Sequence, residues 1–127
     1  MISIKLCSIF VDDQDKALDF YTNKIGFCKN SDIPVGQFRW LTVSSENSQF
    51  EMVLEPNEHN TAKAYQKAIF EDNIPATMLF VDDMEIEFTR LSKLGVEFKS
   101  EPSSVDGMKL ATFNDTCGNW IMICQLL

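Results

Sequence analysis

The sequence predicts an α+β fold in which two βαβββ modules form one curved mixed sheet, and three observations carry that prediction. The tetrapeptide FVDD occurs twice, at 10–13 and again at 80–83. Each copy follows an apolar extended run, IKLCSI or PATML, and precedes a segment with apolar residues at helical spacing. Each of those segments then ends at a glycine preceded by a basic last turn, Lys24-Ile25-Gly26-Phe27 in the first and Lys93-Leu94-Gly95-Val96 in the second.

In the first module, the strand around IKLCSI leads through the acidic pair Asp12-Asp13 into a helix whose apolar face holds Leu18, Tyr21 and Ile25. Three strands follow, near 27–33 (FCKNSDI), 37–43 (QFRWLTV) and 49–55 (QFEMVLE). Residues 60–73 read as a helical linker, with Asn60 as cap, Tyr65 and Ile69 one turn apart, and Asn73-Ile74-Pro75 ending it. The second module repeats the order. PATML and the pair Asp82-Asp83 lead into a helix bearing Met84, Phe88 and Leu91, and strands follow near 96–100 (VEFKS), 108–113 (MKLATF) and 119–126 (NWIMICQL). At 127 residues the chain fits one domain spanning 1–127, with modules of roughly 1–58 and 74–127.

Composition narrows the function. Nineteen acidic residues against eleven basic ones leave a formal charge of −8, and no Lys/Arg run interrupts the balance, which disfavours nucleic acid and anionic membrane surfaces as partners. Cys7, Cys28, Cys117 and Cys124 form no CxxC pair, so reduced thiols in a cytoplasmic protein are expected. No run reaches the length of a membrane span.

Alternation assigns faces to the strands. Cys7, Ile9 and Val11 oppose Ile4, Leu6, Ser8 and Phe10; Leu79 and Val81 oppose Ala76, Met78 and Phe80; Ile121 and Ile123 oppose Trp120, Met122 and Cys124. In FEMVLE, Phe50, Met52 and Leu54 oppose Glu51, Val53 and Glu55. One stripe of each strand suits packing under helices. The other is mixed yet still largely apolar, which water covers poorly, so a concave ligand pocket or an oligomer interface is expected on that face.

These segments together resemble the vicinal oxygen chelate superfamily, the glyoxalase/bleomycin-resistance/dioxygenase group. FVDDQDKALDFYTNKIGF is similar to that family's opening strand-helix unit, RWLTV and FEMVLEP to its middle strands, and LSKLGVEF and FNDTCGNW to its second helix end and final hairpin. The resemblance implies a homodimer and a ligand cup. In metal-dependent members it also implies four His, Gln or Glu ligands, one per strand, at positions that fall here on Leu6, Glu51, Ala76 and Met122. One carboxylate does not hold a catalytic divalent ion. No metal and no other cofactor is therefore expected, a divalent metal at a non-standard site being the alternative. His59, the sole histidine, lies in the polar stretch NEHNT. Ser8, Cys117 and Cys124 have no evident base, so a nucleophilic triad is unsupported.

The expected ligand pocket comprises Leu6, Ser8, Trp40, Glu51, Ala76, Met78, Trp120 and Met122. Glu51, a carboxylate on a mostly apolar wall, is the candidate general base or partner of a cationic ligand, against a plain reading as a strand carboxylate paired with Arg39 or Lys109. Trp40 and Trp120 would hold a flat ligand between them with their N–H groups left to orient it, against a plain reading as packing residues. The aspartate pairs are read as helix caps and Gly118 as a turn glycine. The expected function is capture of a small, apolar or aromatic molecule, as resistance proteins of the resembling family sequester drugs. The alternative is a lyase, isomerase or dioxygenase using Glu51 or an unusual metal site.

Overall fold

The computed structural model describes all 127 residues, Met1–Leu127. The elements in order are β1 (Leu6–Val11), α1 (Gln14–Asp19), β2 (Cys28–Val35), β3 (Phe38–Ser44), β4 (Glu51–Pro56), α2 (Asn60–Glu71), β5 (Thr77–Phe80), α3 (Met84–Lys93), β6 (Ser103–Val105), β7 (Met108–Asn114) and β8 (Trp120–Leu126). They form two four-stranded mixed sheets, ordered β1-β4-β3-β2 and β5-β8-β7-β6. Residues Met1–Ala64 and Tyr65–Leu127 make up two compact units, one around each sheet.

The FVDD repeat is a capping device. Asp13 and Asp83 both stand in extended conformation before a helix and accept a backbone N–H three residues on, from Lys16 at 3.0 Å and from Ile86 at 3.1 Å. Each satisfies one of the amides that a helix start leaves without a partner. The preceding aspartate is dispensable to the cap, and Asp12 instead pairs with Lys16 at 3.2 Å.

Both helices also stop at the predicted glycine, though in different ways. After α3, Gly95 (φ +84°) lets Val96 N–H reach Leu91 C=O at 3.0 Å, the bond that closes a Schellman turn. After α1 the chain widens into a π-helical turn over Phe20–Lys24 before Gly26 (φ +96°), and Phe27 N–H returns to Tyr21 C=O at 2.9 Å.

In the first unit, Ile9, Val11, Met52, Leu54, Leu41 and Val43 bury their side chains with Ala17, Phe20 and Tyr21. Phe20 meets Tyr21 edge to face, and Tyr21 stacks with Phe27. In the second, Ile121, Ile123, Ala111 and Phe113 are buried with Met84 and Leu91, and Phe88, Phe98 and Phe113 form an edge-to-face series. On β1, β4 and β8 these are stripes that alternation assigns in the sequence, whereas Leu79 and Val81 stay only half-buried. Cys7 and Phe50 share the parity of the β1 and β4 stripes but stay exposed, because each lies at or beyond a strand end.

Four local expectations need correction. The strand expected at 96–100 is reduced to a bridge, Phe98↔Phe113, and the edge strand proper is β6 at Ser103–Val105. Pro102 supplies no N–H for pairing, so the edge breaks between the two pieces. In α2 it is His59, not Asn60, that caps: its C=O accepts Lys63 N–H at 3.0 Å and its Nδ1 accepts Thr61 N–H at 3.1 Å. That helix also turns Tyr65 to solvent and buries Gln66. Finally, Cys124 is fully buried although it belongs to the mixed stripe.

Gln66 is buried because its carboxamide N–H has acceptors in the β7–β8 turn, Cys117 C=O and Asn119 Oδ1, each at 3.1 Å. That turn is organised by Asp115, itself fully buried. Its Oδ1 accepts Cys117 N–H at 2.7 Å and Asn119 N–H at 3.0 Å, and its Oδ2 accepts the Asn119 amide at 2.8 Å. Gly118 (φ +99°) sits against Gln66 so closely that a Cβ there would lie 2.8 Å from Nε2.

Candidate functional site

The eight expected pocket residues fall into two sets of four. Register places Leu6 beside Glu51 and Ser8 beside Val53 on β1 and β4, and Thr42 beside Val53 on β3, so Leu6, Ser8, Trp40 and Glu51 share the face of the first sheet turned away from α1. Ala76 donates its N–H to Trp120 C=O at 2.8 Å and Met78 pairs with Met122, so the other four share one face of the second sheet. Both faces keep apolar side chains in contact with solvent: Leu6 is 45% exposed, Trp40 40% and Phe80 66%.

Glu51 is half-buried and held. Its Oε1 accepts the Thr42 hydroxyl at 2.8 Å, and Thr42 Oγ1 in turn accepts Ser31 N–H at 3.0 Å. The pairing with Arg39 or Lys109 weighed from sequence does not occur. Arg39 lies on the opposite face of β3, hydrogen-bonded to Asp32 at 2.9 and 3.0 Å and ion-paired with Asp15. Its guanidinium holds the Asp32 carboxyl below the ordinary aspartate range, with Lys29 adding to the effect, while the two carboxylates raise Arg39 further.

The two tryptophans differ. Trp120 is engaged at both its N–H and its ring: the indole N–H donates to Phe70 C=O at 3.2 Å, the ring stacks on Phe70 at 4.9 Å between centroids, and Lys99 Nζ lies 4.5 Å from its centroid. Its N–H is therefore not left to orient a ligand. The Trp40 indole makes no hydrogen bond or ring contact and remains available.

Trp40 borders a feature that sequence reasoning missed. The β3–β4 ladder ends at Thr42↔Val53. Continued, it would set Arg39 opposite Pro56, which has no N–H to give. Gln14, the first residue of α1, fills the gap: its Oε1 accepts Arg39 N–H at 3.1 Å, and its Nε2 donates to Arg39 C=O at 2.8 Å and to Leu54 C=O at 2.9 Å. A side-chain amide thus replaces a peptide, and the strands part. Where they part lies a cavity of about 340 Å³ lined by Val35, Phe38, Trp40, Val53, Glu55 and Pro56, with Arg39 at its wall. The signal in the sequence was the proline closing FEMVLEP; Gln14 itself looks like any surface residue at a helix start.

The four positions that the resemblance assigns to metal ligands do not fit a divalent ion. Leu6 and Ala76 offer no donor atom, Met122 offers a thioether, and the Glu51 carboxylate already accepts a hydroxyl. No three His, Cys, Asp or Glu side chains come together in a metal-holding group, and His59 remains exposed at its helix start. None of the four cysteines forms a disulfide, and no helix is long and apolar enough to cross a membrane.

The fold and the repeat define the class. The chain belongs to the Glyoxalase/Bleomycin resistance protein/Dioxygenase superfamily, whose family model matches residues 3–123. It is 51% identical over 126 residues to YurT, an uncharacterized protein of Bacillus subtilis (strain 168), covering 98% of this chain and 99% of that one. Among solved structures, UcmS2 superposes with a TM-score of 0.84 at 32% identity, covering 98% of each chain. TnmS3, an antibiotic binding protein from Streptomyces sp. CB03234, superposes with a TM-score of 0.80 at 28% identity, covering 100% of this chain and 98% of its own.

Proposed function

We propose that this protein captures a small, largely apolar or aromatic molecule without the help of a metal ion, using the open sheet face that carries Trp40 and Glu51. The single observation that carries the reading is the Trp40 indole, two-fifths exposed, without a hydrogen bond or a stacking partner of its own, beside a cavity of ligand size. Support comes also from the likeness to TnmS3, an antibiotic binding protein, and from a donor set at Leu6, Ala76 and Met122 that suits no divalent ion. Leu6, Met78 and Phe80 leave enough apolar surface on the open faces to favour a homodimer, and the absence of disulfides suits a cytoplasmic setting.

Tryptophan emission titrated against a panel of aromatic drugs and metabolites tests the reading, with the Trp120→Phe variant isolating the Trp40 signal. Saturable quenching by at least one compound, abolished in Trp40→Leu, is the expected result. No response from any compound, or stoichiometric uptake of Ni, Zn, Mn or Fe by untagged protein, removes it. Ultracentrifugation decides the dimer.

A second reading keeps Glu51 as a general base, favoured by the Thr42 hydroxyl that fixes its carboxylate on the same face. In that case Glu51→Gln abolishes turnover of a bound compound while leaving its affinity nearly intact.

A further inference from the structure

Resting on the ligand-binding reading above, we infer that the cleft between β3 and β4 selects an organic cation: an amine whose apolar body lies on Trp40 and whose ammonium group meets Glu55. The continued register would bring Trp40 and Glu55 directly across from one another, and both line the cavity that opens where the strands separate. Glu55 is half-buried, and its carboxylate has no hydrogen bond or ion pair within the chain. A carboxylate without a partner inside the chain is left free to attract a cation that enters the cleft.

The remaining walls are Val35, Phe38, Val53 and Pro56, which contribute apolar surface and no competing donor. Arg39 is the one cation at the wall, and its guanidinium is directed to Asp15 and Asp32 on the other face, so it does not neutralise Glu55. The face of an indole attracts a cation through its quadrupole, and a carboxylate attracts it through charge; the two act on the same group when they share a cleft. The formal charge of −8 draws cations toward the chain and repels anions of the same shape.

The test uses two probes of one shape, 1-naphthylmethylammonium and the neutral 1-naphthylmethanol, titrated calorimetrically into the full chain and into Glu55→Gln. The wild type is expected to prefer the ammonium by about tenfold, to lose much of that preference at high salt, and in Glu55→Gln to bind the two within about twofold of each other. Trp40→Leu is expected to weaken both probes. Circular dichroism and the urea midpoint establish that each variant is folded. Equal affinities in the wild type overturn the cation assignment while leaving ligand capture standing, and so does a charge preference that survives Glu55→Gln. Silence toward both probes in a protein that still binds neutral aromatic compounds overturns it too. Silence toward every compound removes the capture reading beneath it.

Discussion

Gln14 and Arg39 exchange a pair of hydrogen bonds, side-chain amide to main-chain peptide, at 2.8 and 3.1 Å, although 25 residues separate them. A third bond ties the same amide to Leu54 C=O. Replacing Gln14 by Leu leaves the part-buried N–H and C=O of Arg39 and the buried C=O of Leu54 without this partner, which is expected to cost about 1–3 kcal/mol. The measurement is the urea midpoint, which should fall without a change in slope. A loss below about 0.5 kcal/mol would mean that water substitutes freely for the amide.

The two tryptophans should respond unequally to trimming. Trp120→Phe removes a hydrogen bond, shortens a stacked ring and withdraws the partner of Lys99, for an expected loss of about 1–3 kcal/mol. Trp40→Phe touches no such contact and should stay within about 0.5 kcal/mol of the parent. Thermal denaturation of both variants side by side makes the comparison.

Gly118 is held by conformation and by space at once. Gly118→Ala puts a methyl 2.8 Å from Gln66 Nε2 on a backbone at φ +99°, with an expected cost of about 2–4 kcal/mol. Adding Gln66→Ala should recover only part of that loss, since it clears the space but not the dihedral. A double-mutant cycle read from unfolding midpoints separates the two contributions.

Acid should find the Asp32–Arg39 pair. The carboxyl of Asp32 is held below its ordinary range, first by the hydrogen bond from Arg39, so below about pH 4 the unfolded chain binds more protons at this site than the folded one. The stability contributed by the pair is therefore present above that pH and is lost as pH falls through the folded-state value. Asp32→Asn should make the acid limb of the stability profile shallower. Urea midpoints measured across the acid range would show it, and an unchanged limb would assign acid sensitivity to other carboxylates.

What the sequence discloses and what it hides divide along one physical line. Asp13, Asp83, Gly26 and Gly95 were legible because caps and stops are made within a few residues, where spacing is fixed by helical geometry. The buried stripes were legible because a strand alternates whatever its partner. Gln14, Gln66 and the hydroxyl between Ser31 and Glu51 were not, since their partners stand 9 to 53 residues away and nothing local distinguishes a bridging amide from a solvated one. Periodicity puts Trp120 on one stripe with Met122, but it cannot show that the indole N–H is already given to Phe70. In the cleft, Trp40 was singled out from the sequence while Glu55 was passed over. The parting of β3 from β4 depends on Pro56 and a helix residue far from either strand.

Two of the four edge strands, β2 and β6, are interrupted. β2 slips register between Lys29 and Asp32, and the bridge at Phe98 is cut from β6 around Pro102. Neither of these two edges offers an incoming chain an unbroken row of amides and carbonyls to copy. A broken register at the rim thus does for β2 and β6 what a charged or covered edge does elsewhere: it withdraws them from runaway polymerisation.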